Sequence, residues 1–278
     1  MKANIEKHMK AEEEFTADME EESVELELTD DDEEYELLAG YVDEDGVTHK
    51  TYTLREITGE DEEYISRSDI KINGAKVATA LLTRCVTRLG TITKKSVGPK
   101  KWEQIFKEDL LIGDRDIMLL NLRKKSTGSE IEVVHTCPNP NCKAKLKTVI
   151  DLDELEIVPF DGKREIPFEL PKGYRDHKGV LHRNGVMRRP NGLDGEVLTP
   201  VAKNNMAKAT SLLLSRLCSF DDGAFVDQTV MAKLTIKDRN YLQQLLEDNP
   251  FGVDMTVPIM CDQCGEEFKG NLNQSNFI

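Results

Sequence analysis

The chain contains one stretch twice, and any fold it adopts has to place that stretch twice. Residues 110–146 and 234–268 align at a fixed shift of 124. Leu110, Ile112, Asp114, Arg115, Leu122, Gly128, Val133 and Cys137 fall on Leu234, Ile236, Asp238, Arg239, Leu246, Gly252, Val257 and Cys261. Each copy closes with a further cysteine, Cys142 in C-x4-C and Cys264 in C-x2-C. Two cysteine pairs, each short of a full metal shell, point to one shared site.

A second match lies upstream of each copy. At a shift of 133, residues 36–63 share 12 identities in 28 positions with residues 169–196, among them Gly40/Gly173, Tyr41/Tyr174, His49/His182, Arg55/Arg188, Gly59/Gly192 and Asp61/Asp194. That density predicts an internal duplication. Extended stretches around Glu36–Tyr41 and Val47–Leu54, joined by Asp43-Glu-Asp-Gly46, predict a β-hairpin. His49 and His182 read as strand-face residues, with no carboxylate or cysteine beside them at ligand spacing.

Helices follow at Ala75–Val86 and Met206–Cys218, where good formers carry apolar residues at helical spacing. Cys85 and Cys218 sit alone among apolar neighbours and read as core thiols. Arg84 and Arg216 align as helix-surface or interface residues. A basic segment, Thr93–Trp102, carries glycine, proline and the single tryptophan. It serves either a partner or, through Trp102, a small hydrophobic cluster.

A second helix in each copy starts near Asp114 or Asp238, expected as N-caps, with Arg115 and Arg239 making structural hydrogen bonds or ion pairs. Gly128 and the Asn249–Gly252 run stop these helices. Alternating strands at Glu130–Thr136 and Asp254–Met260 deliver the cysteines, and Lys143–Ile150 and Glu266–Leu272 return. The expected fold is α+β. It is a tandem duplication in which each half is a β-hairpin, two helices and a zinc-ribbon-like β-knuckle. The expected boundaries are an acidic, disordered arm at 1–34, a first repeat at 35–155, a linker at 156–168 and a second repeat at 169–278.

Charge separates the arm from the body. Residues 1–34 hold 15 Asp/Glu against 3 Lys, so most of the net −15 of the chain lies there. The near-neutral remainder argues against a general nucleic-acid binder, whose footprint is basic. No apolar run is long enough to span a bilayer and no apolar leader is visible, so a reducing compartment is expected. In that setting cysteine pairs more often hold metal than form disulfides.

Cys137, Cys142, Cys261 and Cys264 are the candidate ligands of one structural Zn2+, since thiolates at this spacing place two donors from one turn. Three alternatives stay open: separate knuckles with added donors such as His135 or a neighbouring subunit's cysteines, a redox C-x-x-C, or loss of the metal. No nucleophile elbow, phosphate loop, H-E-x-x-H or dinucleotide turn is present, so catalytic residues and an enzymatic role are not expected.

The strings Leu54–Glu62 (LREITGEDE), Leu81–Val86 (LLTRCV), Ile112–Asp116 (IGDRD) and Leu146–Leu155 (LKTVIDLDEL) resemble the tail and baseplate hub-assembly proteins of T4-like contractile-tailed phages. The resemblance covers residues 36–155, and 169–272 by way of the duplication. It implies a non-enzymatic structural or assembly role near the baseplate hub and tape-measure end. The implied partners are other tail proteins or the tape-measure protein. The implied location is the host cytoplasm during assembly, then the virion tail. The first knuckle departs from the family pattern with C-P-N-P-N-C. A zinc-ribbon nucleic-acid or transcription-associated protein is the competing reading. Lys143, Lys145 and Lys147 favour it, while Asp262, Glu266 and Glu267 oppose it.

Overall fold

A computed structural model describes residues 33–272. The expected disordered arm therefore lies outside the described residues, apart from its last two. Residues 33–272 form one compact unit, of mixed α+β composition with small sheets.

The chain opens with β1 (Glu34–Val42) and β2 (Thr48–Leu54), an antiparallel hairpin joined through β2 to β3 (Val86–Leu89). Between them run α1 (Gly59–Ile65), a turn of helix at Ser68–Lys71, and α2 (Gly74–Cys85). The Asn73 side chain caps α2, accepting from the amides of Ala75 and Lys76. Then come α3 (Pro99–Gln104), a π-helical turn at Ile105–Asp109, and α4 (Ile112–Thr127). Gly128 stops α4 with φ +90°, a conformation that costs an L side chain dearly. A ribbon of β4 (Glu130–Thr136) and β5 (Lys145–Asp151) completes this half.

The second half presents elements in the same order. It has a sheet of β7 (Glu165–Arg175), β8 (Leu181–Arg188) and β9 (Cys218–Phe220), and helices α5 (Gly192–Ala202) and α6 (Met206–Leu217). Helices α7 (Gln228–Lys233) and α8 (Ile236–Glu247) follow, then a ribbon of β11 (Thr256–Met260) and β12 (Glu267–Asn271). The expected linker holds β6 (Ile157–Val158), which pairs with β10 (Gly252–Val253), and β7 already begins at Glu165. This connection therefore takes part in the folded body.

Both hairpins carry the same irregularity, and both solve it the same way. In the first, register runs Glu36↔Thr51 and then Tyr41↔His49; in the second, Glu169↔Asn184 and then Tyr174↔His182. The amides pushed out of the ladder need acceptors, since burying them unpaired is costly. Asp114 takes the amides of Leu38, Ala39 and Gly40 at 2.8, 3.1 and 2.9 Å. Asp238 takes those of Lys172 and Gly173 at 2.7 and 3.4 Å. The expectation that these aspartates are N-caps is corrected: each sits in the first turn of its helix, after caps Leu111 and Thr235. Burial pushes the Asp114 carboxyl above the ordinary carboxylate range, and its three amide bonds pull the other way.

Buried arginine–aspartate knots recur as well. Asp61, buried at the start of α1, receives Arg55 and Arg84 at 2.6 Å each; Asp194, at the start of α5, receives Arg188 at 2.8 Å and Arg216 at 2.7 Å. Arg84 and Arg216 thus tie their helix to the one before it, and the shared aspartate extends the tie to Arg55 and Arg188 at the end of each hairpin. Three apolar clusters result. One surrounds Leu81, Leu82, Trp102, Phe106 and Met118; another surrounds Leu170, Met187, Leu214 and Met231; the third lies between the two ribbons. The basic segment is helical, and Trp102 is fully buried with its Nε1 donating to the Thr83 carbonyl at 3.0 Å. Of the two readings open for Trp102, the hydrophobic cluster holds. Cys85 and Cys218 are buried, as expected.

Candidate metal centre

The two ribbons pack face to face because their inward residues alternate. Ile131, Val133, Leu146 and Ile150 of one meet Val257, Ile259 and Leu272 of the other. Gly270 of β12 lets the strands approach, since a Cβ there would come 2.3 Å from Ile259 and 2.7 Å from the His135 ring. This packing carries the hairpin tips, and the cysteines on them, to the same place.

Each tip is a tight turn closed by backbone bonds. The Cys137 amide donates to the Ala144 carbonyl at 2.9 Å, and the Cys261 amide to the Glu266 carbonyl at 2.8 Å. The first turn is two residues longer, as C-x4-C requires against C-x2-C. In both, the residue after the second cysteine turns into the left-handed region, Lys143 at φ 51° and Gly265 at φ 74°. Glycine meets that demand freely and lysine at a cost, so the second tip advertises its turn and the first conceals it.

The four sulfurs converge. Cys137 Sγ lies 3.6 Å from Cys264 Sγ, and Cys142 Sγ lies 3.8 Å from Cys261 Sγ. All four are within 4.8 Å of one another, and the four cysteines could hold a metal ion. Each close approach crosses from one ribbon to the other. The spacing is far beyond the roughly 2.0 Å of a disulfide, and a tetrahedral Zn2+ with bonds of about 2.3 Å separates its sulfurs by about 3.8 Å. The residues present therefore fit such an ion. Cys137 and Cys261 are buried and Cys264 is exposed, with Ala144 and Phe268 packed alongside. The cluster is thus sealed on the ribbon side and open at the tips.

Burial raises Cys137. Cys261 is drawn down to about 7: burial opposes this, but the amides of Gln263 and Cys264 and the neighbouring thiols outweigh it. Cys264 is pushed up to about 12: the Glu266 amide lowers it, but burial and the three other thiols raise it further. Four adjacent thiolates repel one another, and a cation between them removes that cost. His135 does not join them; among the described residues, the close donor group consists of the four cysteines.

The histidines that sequence reading left without partners have them. His49 Nε2 is 2.9 Å from Asp43, and His182 Nδ1 is 2.6 Å from Asp222, with Asp176 at 3.6 Å from its Nε2. The signal was the repeated D-x5-H spacing, which a hairpin turn folds back on itself. Asp43 and Asp176 also accept amides within their own turns, from Val47 and Val180 at 2.8 Å. These groups lock the hairpins.

The joint between the halves was missed entirely. Arg115 is 1% exposed, donates to the Phe106 carbonyl and to Thr79 Oγ1, and is covered by Gly192 at the start of α5. Around it, Ile112 N donates to the Pro190 carbonyl at 3.0 Å and Asn191 Nδ2 to the Glu108 carbonyl at 2.6 Å. Glu196 accepts from Thr79 at 2.7 Å through its carboxylate and from Asn73 at 2.8 Å through its carbonyl.

No helix among the described residues is long and apolar enough to cross a membrane. No curated protein and no solved structure matches the chain significantly. A family model does match: residues 47–177, just under half of the chain, fit the family described as T4 bacteriophage base plate protein. The matched segment runs from the first hairpin through the first cysteine pair and the connection into β7. The match supports a T4-like phage baseplate protein family for this part of the chain.

Proposed function

We propose that the chain is a non-enzymatic structural or assembly protein of a contractile phage tail. It acts at the baseplate hub and tape-measure end through contacts with other tail proteins. It is a tandem duplication, residues 35–155 and 169–278 with a connection at 156–168, preceded by an acidic arm. One structural Zn2+ on Cys137, Cys142, Cys261 and Cys264 staples the repeats. The family match supports the baseplate role, and the matched pairs Asp114/Asp238, Asp61/Asp194 and Arg115/Arg239 support the duplication.

The observation that carries the staple is that each close sulfur pair joins one ribbon to the other. A tetrathiolate shell has no open position, so the ion would serve shape and not turnover. Its binding energy then adds to that of the fold, because the unfolded chain cannot present four donors at once.

Two experiments test this reading. Metal content of the purified chain should be about one zinc per molecule, lost from both Cys137→Ser and Cys261→Ser. Two ions per chain, or one retained by either variant, would separate the pairs. Immunogold labelling of intact tails should mark the end remote from the capsid, and label confined to the tube would remove the baseplate placement.

A further inference from the structure

Each half carries a plug and a socket, but among the described residues only one plug is seated. The plug of the second half is the start of α5, where Gly192 is buried on Arg115 and Glu196 bonds Asn73 and Thr79. The socket of the first half is therefore full. Its counterpart in the second half is formed by Asn205, Ser211, Ile236 and Arg239, which align with Asn73, Thr79, Ile112 and Arg115. These four residues, with Lys208, line an open hollow of about 570 Å³. Arg239 makes the same kind of bonds as Arg115, to Ser211 Oγ at 2.7 Å and the Met231 carbonyl at 3.0 Å. It is only half-buried, and Ile236 is 71% exposed.

Among the described residues, the plug of the first half is equally free. Thr58, Gly59, Glu60 and Glu63 are exposed, and a Cβ on Gly59 would meet nothing within 4 Å, whereas one on Gly192 would strike Arg115 at 2.4 Å. Glu63 aligns with Glu196, so it carries the carboxylate that the joint uses. Charge agrees: Glu60, Glu62 and Glu63 stand on the plug, and Lys208 and Arg239 stand at the hollow.

We propose that the hollow of one copy receives the start of α1, Thr58–Glu63, of a second copy. The chain then assembles head to tail through a repetition of its internal joint. Plug and socket are different surfaces, so the contact is heterologous and every added copy leaves one of each free. Such contacts give a ring where the rotation closes and a filament where it does not. The inference rests on the repeat reading and not on the metal.

Sedimentation of the full chain over rising concentration tests it, using wild type, Gly59→Leu and Ile236→Arg. Both substitutions fall at exposed positions, and thermal melts establish that each variant is folded. Wild type should grow past the dimer, and each variant alone should remain a monomer. An equimolar mixture should stop at the dimer, because one intact plug meets one intact socket. Wild type that stays monomeric overturns the proposal, as does association that both variants retain. A mixture that stays monomeric while wild type associates also overturns it. Zinc content reports on the staple, and the stability contrast between Gly192→Ala and Gly59→Ala reports on the repeated joint, independently of any of these outcomes.

Discussion

Arg115 and Gly192 are in direct contact: a β-carbon on Gly192 would lie 2.4 Å from the guanidinium carbon. The two halves meet there with no room for a methyl group. Gly192→Ala should destabilise the chain by about 1–3 kcal/mol through overpacking. Gly59→Ala, at the matching position with open space, should cost little. Urea denaturation of both variants checks the contrast, and equal losses would remove the joint as the cause.

Stability should fall in acid through Asp61 and Asp194. The paired arginines and the amide at each helix start hold both carboxyls below the usual carboxylate range, against the opposing effect of burial. A depressed folded pKa gives stability that is present above the unfolded value of about 3.9 and lost as pH falls through the folded one. Melting temperature should therefore drop below about pH 4. Asp61→Asn should flatten that drop and cost about 2–3 kcal/mol at neutral pH. That is less than the ~3–5 of a fully buried pair, because Arg55 and Arg84 are each about a quarter exposed.

Thiol reactivity should divide the six cysteines into two classes. Cys85 and Cys218 are sealed inside two apolar clusters, whereas the sulfur cluster is open to solvent at the hairpin tips through Cys142 and Cys264, so access separates the two classes. After treatment with a strong chelator, the native chain should alkylate at Cys137, Cys142, Cys261 and Cys264, with Cys85 and Cys218 spared until denaturant is added. Mass spectrometry of the labelled peptides reads this directly. Early labelling at Cys85 would contradict its burial.

Trp102 is a built-in reporter. Packed edge-on to Phe106 at 5.0 Å between ring centroids and sealed from solvent, it should emit at short wavelength and shift red on unfolding. Trp102→Ala should cost about 3–5 kcal/mol. A native spectrum like that of free tryptophan would refute the burial.

Much of the architecture was readable before any coordinates, and the exceptions share a cause. The strand Glu130–Thr136 alternates one buried residue with one exposed, and periodicity finds that kind of strand. The cysteine pairs were incomplete shells, and incompleteness itself implied convergence. Asp114 was misplaced because a carboxylate early in a helix looks like a cap, while its real partners are the amides of a bulge 74–76 residues upstream. Arg84 reads from its helix position as a helix-surface or interface residue; the buried Asp61, which the helix pattern does not reveal, is what it meets. Gly192 gave no local sign of its role, since the residue it covers belongs to the other half.

The sulfur cluster also fixes an order of events during synthesis. Cys142 and Cys261 stand 119 positions apart in the chain. At ribosomal rates of ~5–20 residues per second, the second pair emerges ~6–24 s after the first. The first half leaves the ribosome with one cysteine pair at its hairpin tip, which waits for donors that have yet to be translated. Closing the cluster then reports that both ribbons have been made, and a product truncated before Cys261 carries an open pair.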